Sequence, residues 1–120
     1  MADSQHVAPG RQPHAEVTVS GLPERGRVLC HGFIESVTFL PTNQNPAFTA
    51  IITDLDEQRA GVSIGHGSEK RLRIVWLGRR RVPGIEAGTE VRVEGMLTQS
   101  HGLPTIFNPR YEIISRQEHE

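Results

Sequence analysis

RVLCHGFIESVTFL, residues 27–40, decides the fold. The stretch is rich in β-branched and aromatic residues and meets no proline before Pro41, so it reads as one long strand. Its alternation is imperfect: Val28 and Cys30 share one face, whereas Phe33, Val37 and Phe39 fall on the other. Gly32 stands where the phase slips. A glycine inside a long strand marks a bulge or a sharp bend. A strand of this length, bent near its middle, can pair on both sides of a small β structure.

Outward from that strand the pattern repeats. PTNQNP (41–46) is a turn, and AFTAIITDL (47–55) is a second strand. DEQRAGVSIGHGSE (56–69) is loop-like, with three glycines and mixed charge. KRLRIVWLG (70–78) is a third strand, with Leu72, Ile74 and Trp76 on one face and Arg71, Arg73, Val75 and Leu77 on the other. VPGIEAG (82–88) is a connector too short for a long helix. TEVRVEGMLTQ (89–99) is a fourth strand with Val91, Val93 and Gly95 inward, and SHGLP (100–104) is a turn. TIFNPRYEII (105–114) is a fifth strand interrupted by Asn108-Pro109, which places part of it at an edge or a bulge. Residues 1–26 carry Pro9, Gly10, Pro13 and Gly21-Leu22-Pro23 and read as a flexible N-terminal segment, with at most a short strand at 16–20. Residues 115–120 form a fraying tail. Five strands without a long helix predict an all-β fold, a five-stranded Greek-key barrel of the OB type over residues 27–114. An immunoglobulin-like sandwich wants about seven strands.

At 120 residues the chain has room for one core. Its net charge of −1 hides a segregation: residues 27–110 carry ten Lys/Arg against eight Asp/Glu, and both ends are acidic. Bulk charge therefore implies no partner. Cys30 is the only cysteine, so no intramolecular disulfide forms, which fits a reducing compartment. No apolar run approaches the ~20 residues that span a bilayer, and MADSQHVAPGRQPH lacks the apolar centre of a signal peptide. The chain reads as cytoplasmic, with no membrane partner.

KRLRIVWLGRRR (70–81) concentrates six cations and no acid. On an OB barrel, the face of the second and third strands, with the first–second and fourth–fifth loops, is the usual ligand surface. A single nucleic-acid strand needs cations for its phosphates and planar groups for its bases, and guanidinium serves both. The candidate track is Arg71 and Arg73 on the third strand, Arg79, Arg80 and Arg81 beyond its end, and Arg110 on the fifth. Phe39 and Phe48 flank the first–second loop and are the candidate exposed aromatics. Trp76 shares the phase of Leu72 and Ile74 and belongs to the core. Phe107 and Tyr111 close the barrel or join the track. The competing reading is a solvated strand face whose cations pair with Glu35, Glu69, Glu86 or Glu94.

Other chemistries find little support. The six histidines show no HxxH or HExxH spacing, and no CxxC exists, so no metal site is expected. Asp54 and Asp56 beside a turn read as solvated acids rather than a Mg²⁺ site. Cys30 lies mid-strand, where burial makes a thiol inert. GHGS (65–68) lacks the order of a hydrolase elbow, and GVSIGHG lacks the Gly-Lys-Ser/Thr ending of a phosphate loop. The expectation is a protein without cofactor or catalytic residues.

The segments RVLCHGFIESVTFLP, RLRIVWLGRRRVPGIEAG, VRVEGML and PTIFNPRYEI together resemble small actinobacterial OB-fold nucleic-acid-binding proteins of the tRNA-anticodon-binding-like class. More distantly they resemble the OB wedge domain of replication-fork helicases, without the motor that accompanies it. The resemblance covers residues 27–114, and WLGRRR with PGIEAG is its most specific part. It implies an OB barrel and nucleic-acid binding. The functional expectation is a non-enzymatic module that binds single-stranded DNA or RNA with little sequence preference. The alternative is a protein–protein interaction or adaptor module using the same barrel face. Self-association through an exposed barrel edge is a third possibility, and the sequence fixes no oligomeric state.

Overall fold

A computed structural model describes residues 15–40, 43–54 and 70–115. Seven strands follow one another: β1 (Glu16–Thr18), β2 (Gly26–Phe39), β3 (Ala47–Thr53), β4 (Leu72–Leu77), β5 (Glu90–Ser100), β6 (Leu103–Phe107) and β7 (Arg110–Ser115). Apart from one 3₁₀ turn at Val19–Gly21, the described residues contain no helix, and hence none long and apolar enough to cross a membrane. Five of the strands pair in a ring, β2–β3–β4–β6–β5 and back to β2. The fold is all-β and barrel-like.

β2 makes the ring possible. Its first half pairs antiparallel with β5 over Gly26–Phe33, and its second half with β3 over Phe33–Phe39. Gly32 lies at the changeover, where a Cβ would sit 2.6 Å from the Thr53 carbonyl oxygen and 2.7 Å from Ile52 Cγ2. The bend expected near Gly32 is therefore a close approach of β3 to β2. The phase slip is elsewhere. Val28, Cys30, Gly32 and Ile34 are all buried, and the register shifts between Ile34 and Ser36, so that Glu35 is the extra residue of the bulge. Phe33 alternates outward with Leu29 and His31, rather than sharing a face with Val37.

The fifth predicted strand is two strands. β6 pairs with β5 over Leu97–Ser100, and β7 pairs with β5 over Glu90–Glu94. Between them Asn108 adopts φ 52°, a left-handed conformation that asparagine tolerates. Its N–H donates to the Val75 carbonyl at 2.7 Å, and its Oδ1 accepts from the Leu77 N–H at 2.8 Å. The kink lets β6 swing across to pair in parallel with β4, which closes the ring, while β7 continues along β5. At the other end of β6, His101 (φ 51°) and Gly102 (φ 82°) form the tight hairpin to β5, with both central residues left-handed as two-residue hairpins prefer.

Inside the ring, Ile34, Phe48, Ile52, Leu72, Ile74, Val91, Val93 and Ile106 are buried. One end is sealed by the 82–88 connector through Val82 and Ile85. Trp76 is buried there, as its phase predicted, with its ring centroid 6.0 Å from Phe48 and 5.7 Å edge-on from Tyr111. The Tyr111 hydroxyl donates to the Pro83 carbonyl at 3.0 Å and ties β7 to the connector.

The N-terminal segment differs from expectation. Glycine and proline breaks predict flexibility through residue 26, yet residues 15–26 pack on the ring; residues 1–14 lie outside the described residues. β1 pairs in parallel with β2 at Leu29–His31, and Val19 is 1% exposed. Asp54 holds the turn: Oδ1 accepts from the Val19 N–H at 2.7 Å and Oδ2 from the Ser20 N–H at 3.0 Å. Asp56 lies outside the described residues, as do the GHGS stretch and Glu69.

Cys30 is buried at the centre of β2. Burial, then the nearby charges of Asp54 and Glu16, push its thiol up to about 12. At pH 8 roughly one thiol in ten thousand is then ionised, so native protein should resist iodoacetamide under conditions that label urea-unfolded protein completely. Rapid labelling of native protein would show that Cys30 is accessible. The same shift makes folding favour the protonated thiol. Its contribution to stability is complete below pH 9 and is lost as the pH climbs toward 12.

Candidate nucleic-acid interface

Alternation along β3 and β4 fixes which side chains leave the ring. Ala47, Thr49 and Ile51 of β3 point outward, as do Arg73, Val75 and Leu77 of β4, because Phe48, Ala50, Ile52, Leu72, Ile74 and Trp76 take the inward positions. The register aligns these residues in rows. Thr38, Thr49, Val75 and Phe107 form one row, and Ser36, Ile51, Arg73 and Thr105 the next. Leu77 sits opposite Ala47 at the end. Leu97 pairs with Ile106, so one step along the ladder brings Phe107 beside Met96, which in turn pairs with Arg27 of β2. None of these residues is acidic. Phe107 is 44% exposed, and Leu77 and Met96 are more so. Aromatic and aliphatic surface thus lies open in these rows, and Glu35, at the bulge beside the Ser36 row, is paired with Arg71.

The arginines are disposed differently from a single track. Arg71 is engaged by Glu35, with Nε 2.8 Å from Oε1 and Nη2 3.1 Å from Oε2, and this two-point pair neutralises it. Arg73 keeps its charge: Nη1 donates to the Ser100 carbonyl at 2.9 Å and lies 3.5 Å from Thr105 Oγ1, and no carboxylate pairs with it among the described residues. Arg79, Arg80 and Arg81 are exposed beyond the other end of β4. Arg80 Nη2 donates to the Gln44 carbonyl at 3.0 Å, which links this cluster to the β2–β3 loop. The Arg73 end and the Leu77 end of β4 lie about 13 Å apart along the strand, and Gly78 (φ 81°) then turns the chain into Arg79. Arg110 belongs to neither. It projects from β7 opposite Glu94, beside Arg92 and Glu112, in a mixed-charge cluster. There Arg92 donates to Glu16 at 3.1 Å and Glu112 at 2.8 Å, and these bonds raise its pKa.

The two candidate phenylalanines separate. Phe48 is 2% exposed, so it is a core residue and cannot stack on a base. Phe39 is 56% exposed, and the Arg81 guanidinium lies 5.4 Å from its ring centroid, a cation–π contact. Phe39 and Arg81 overhang a cavity of about 380 Å³ between the end of β2 and the connector, also lined by Val37, Phe48 and Val82–Ala87. Sequence reasoning did not place Leu77, Met96 and Arg27 in the interface, because only the ladder register reveals that they adjoin Phe107. Among the described residues no group of three His, Cys, Asp or Glu is placed to hold a metal ion.

No protein-family model matches the chain, and no curated protein matches its sequence.

Proposed function

We propose that this chain is a non-enzymatic OB-fold module that binds single-stranded DNA or RNA through the outer face of β3, β4 and β6. Support for the OB reading comes from the ring order. The first ring strand pairs with the second and the fourth, and the third closes on the fifth in parallel, as a Greek-key barrel of this type requires. The observation that carries the binding reading is the open face itself, whose adjoining carboxylate, Glu35, is taken up by Arg71. It exposes Leu77, Phe107 and Met96, with Arg73 at one end and Arg79–Arg81 at the other. The Phe107 ring stacks on a base, Leu77 and Met96 add apolar contact, and flanking guanidinium groups donate to phosphate oxygens. None of these contacts reads a base edge, so sequence preference along this face is weak. Arg71 and Arg110 drop out of the footprint; Phe107 and Arg27 enter it.

Fluorescence anisotropy with a labelled oligothymidylate tests the proposal. Affinity should fall as salt rises, and Arg79→Ala/Arg80→Ala/Arg81→Ala should flatten the slope of log K against log salt by about 2. Phe107→Ala should weaken binding roughly tenfold. Salt-insensitive binding, or none at low salt, defeats the reading.

A protein-interaction adaptor is the second reading, favoured by the exposed Phe39, Leu77, Met96 and Phe107 on a chain of net charge −1. Retention on single-stranded DNA resin against recovery of a co-purifying protein separates the two.

A further inference from the structure

The cavity under Phe39 has a shape and lining that the open sheet face lacks. β2 parts from β5 after the Phe33–Glu90 pair, with last contacts from the Ile34 N–H to the Thr89 carbonyl and from the Gly88 N–H to the Ile34 carbonyl. Beyond that point the strand end and the connector diverge, and the gap between them is the cavity. Phe39 and Arg81 supply a planar wall, Phe48 contributes apolar surface, and Val82–Ile85 stand across from them. Its volume of about 380 Å³ falls within the range of small-ligand cavities. Arg81 lines the cavity, and the exposed Arg79 and Arg80 precede it in the chain.

We infer that this cavity takes one base of the bound single strand, and that the base is guanine. A base turned out of its stack needs a planar partner and a hydrogen-bonding match for its edge. Phe39 with Arg81 is the planar partner. Glu86 is the one carboxylate among the lining residues. Guanine offers N1–H and N2–H₂ as two parallel donors, which suit the two oxygens of a carboxylate. Cytosine and adenine each offer one exocyclic amine. Thymine and uracil offer a single N3–H between two carbonyl oxygens, and a carboxylate repels those oxygens. This inference rests on the nucleic-acid reading and adds to it a single selective slot beside an unselective face.

The test uses labelled oligothymidylates of about nine nucleotides carrying one central dG, dC, dA or abasic site, compared by anisotropy with the unsubstituted strand. The dG strand should bind about tenfold tighter than the others. Phe39→Ala should erase that advantage, so that the dG strand binds no more tightly than the dC, dA and abasic strands. Glu86→Gln, an exposed change, should reduce the dG preference with no change in melting temperature. If no oligonucleotide binds at all, the nucleic-acid reading itself fails. Equal binding of all five strands, unaltered by Phe39→Ala, overturns the base slot alone, and a preference for dC or dA overturns the guanine assignment.

Discussion

Gly32→Ala should destabilise the fold by about 3 kcal/mol, moving the urea midpoint down by about 2 M. In most strands the same change is neutral or favourable, because alanine restricts the unfolded chain more than glycine does. Here the new methyl would meet the Thr53 carbonyl oxygen at 2.6 Å and Ile52 Cγ2 at 2.7 Å. The first of these is backbone and has no rotamer to move into. Relief requires β3 to back away from β2 where β2 changes partners, and that opens the ring. Trp76, the only tryptophan, lies in the sealed end and reports the transition by its emission. An unchanged midpoint would mean that the two backbones are not so close.

Phe48→Ala should cost about 3–5 kcal/mol, the usual range for removing a buried aromatic side chain. Phe48 lies between Phe39, 5.4 Å away, and Trp76, 6.0 Å away, in a file of rings that continues to Tyr111. Deleting it leaves Phe39 and Trp76 without their common neighbour. A domain of ordinary stability, about 5–15 kcal/mol, keeps little reserve after such a loss. Phe48→Leu refills much of the space and should recover most of the stability. Oligothymidylate affinity of the folded Phe48→Leu protein should match the unmutated chain within about twofold, since Phe48 lines the slot and does not face the β3–β4–β6 surface. A large loss of affinity in folded Phe48→Leu protein would place this ring in the interface after all.

The strands of the ring are legible because each is a run of β-branched and aromatic residues bounded by proline, glycine or asparagine, which propensity and turn chemistry report directly. β1 is only partly legible. The weak alternation of Val17 and Val19 suggests a short strand at 16–20, but what orders it is Asp54, some thirty-five positions away. Phe39 and Phe48 pair across the same loop, yet one is exposed and the other buried. The bulge at Glu35 fixes how β2 is phased beyond it, and a bulge has no reliable sequence signature. Arg71 and Glu35 are likewise thirty-six residues apart and meet across β3. Charge density announced a cationic stretch, but only the register could say which cation already had a counter-ion. Arg110 is carried away from the others by the Asn108-Pro109 kink, whose presence was readable and whose direction was not.

The parallel closure of β4 on β6 has a bearing on biosynthesis. Arg73 finds its ladder partner only at Thr105, and Arg27 finds its own at Met96. A nascent polypeptide emerging from the ribosome therefore holds β2, β3 and β4 in the open, with an unsatisfied border on each side, until β5 and β6 have been made. Such late-arriving, long-range pairing is slow and leaves strand borders available to other chains in the meantime. For a protein of this topology, synthesis of β6 is what lets the ring close, and a ribosome stalled before it carries an adhesive fragment.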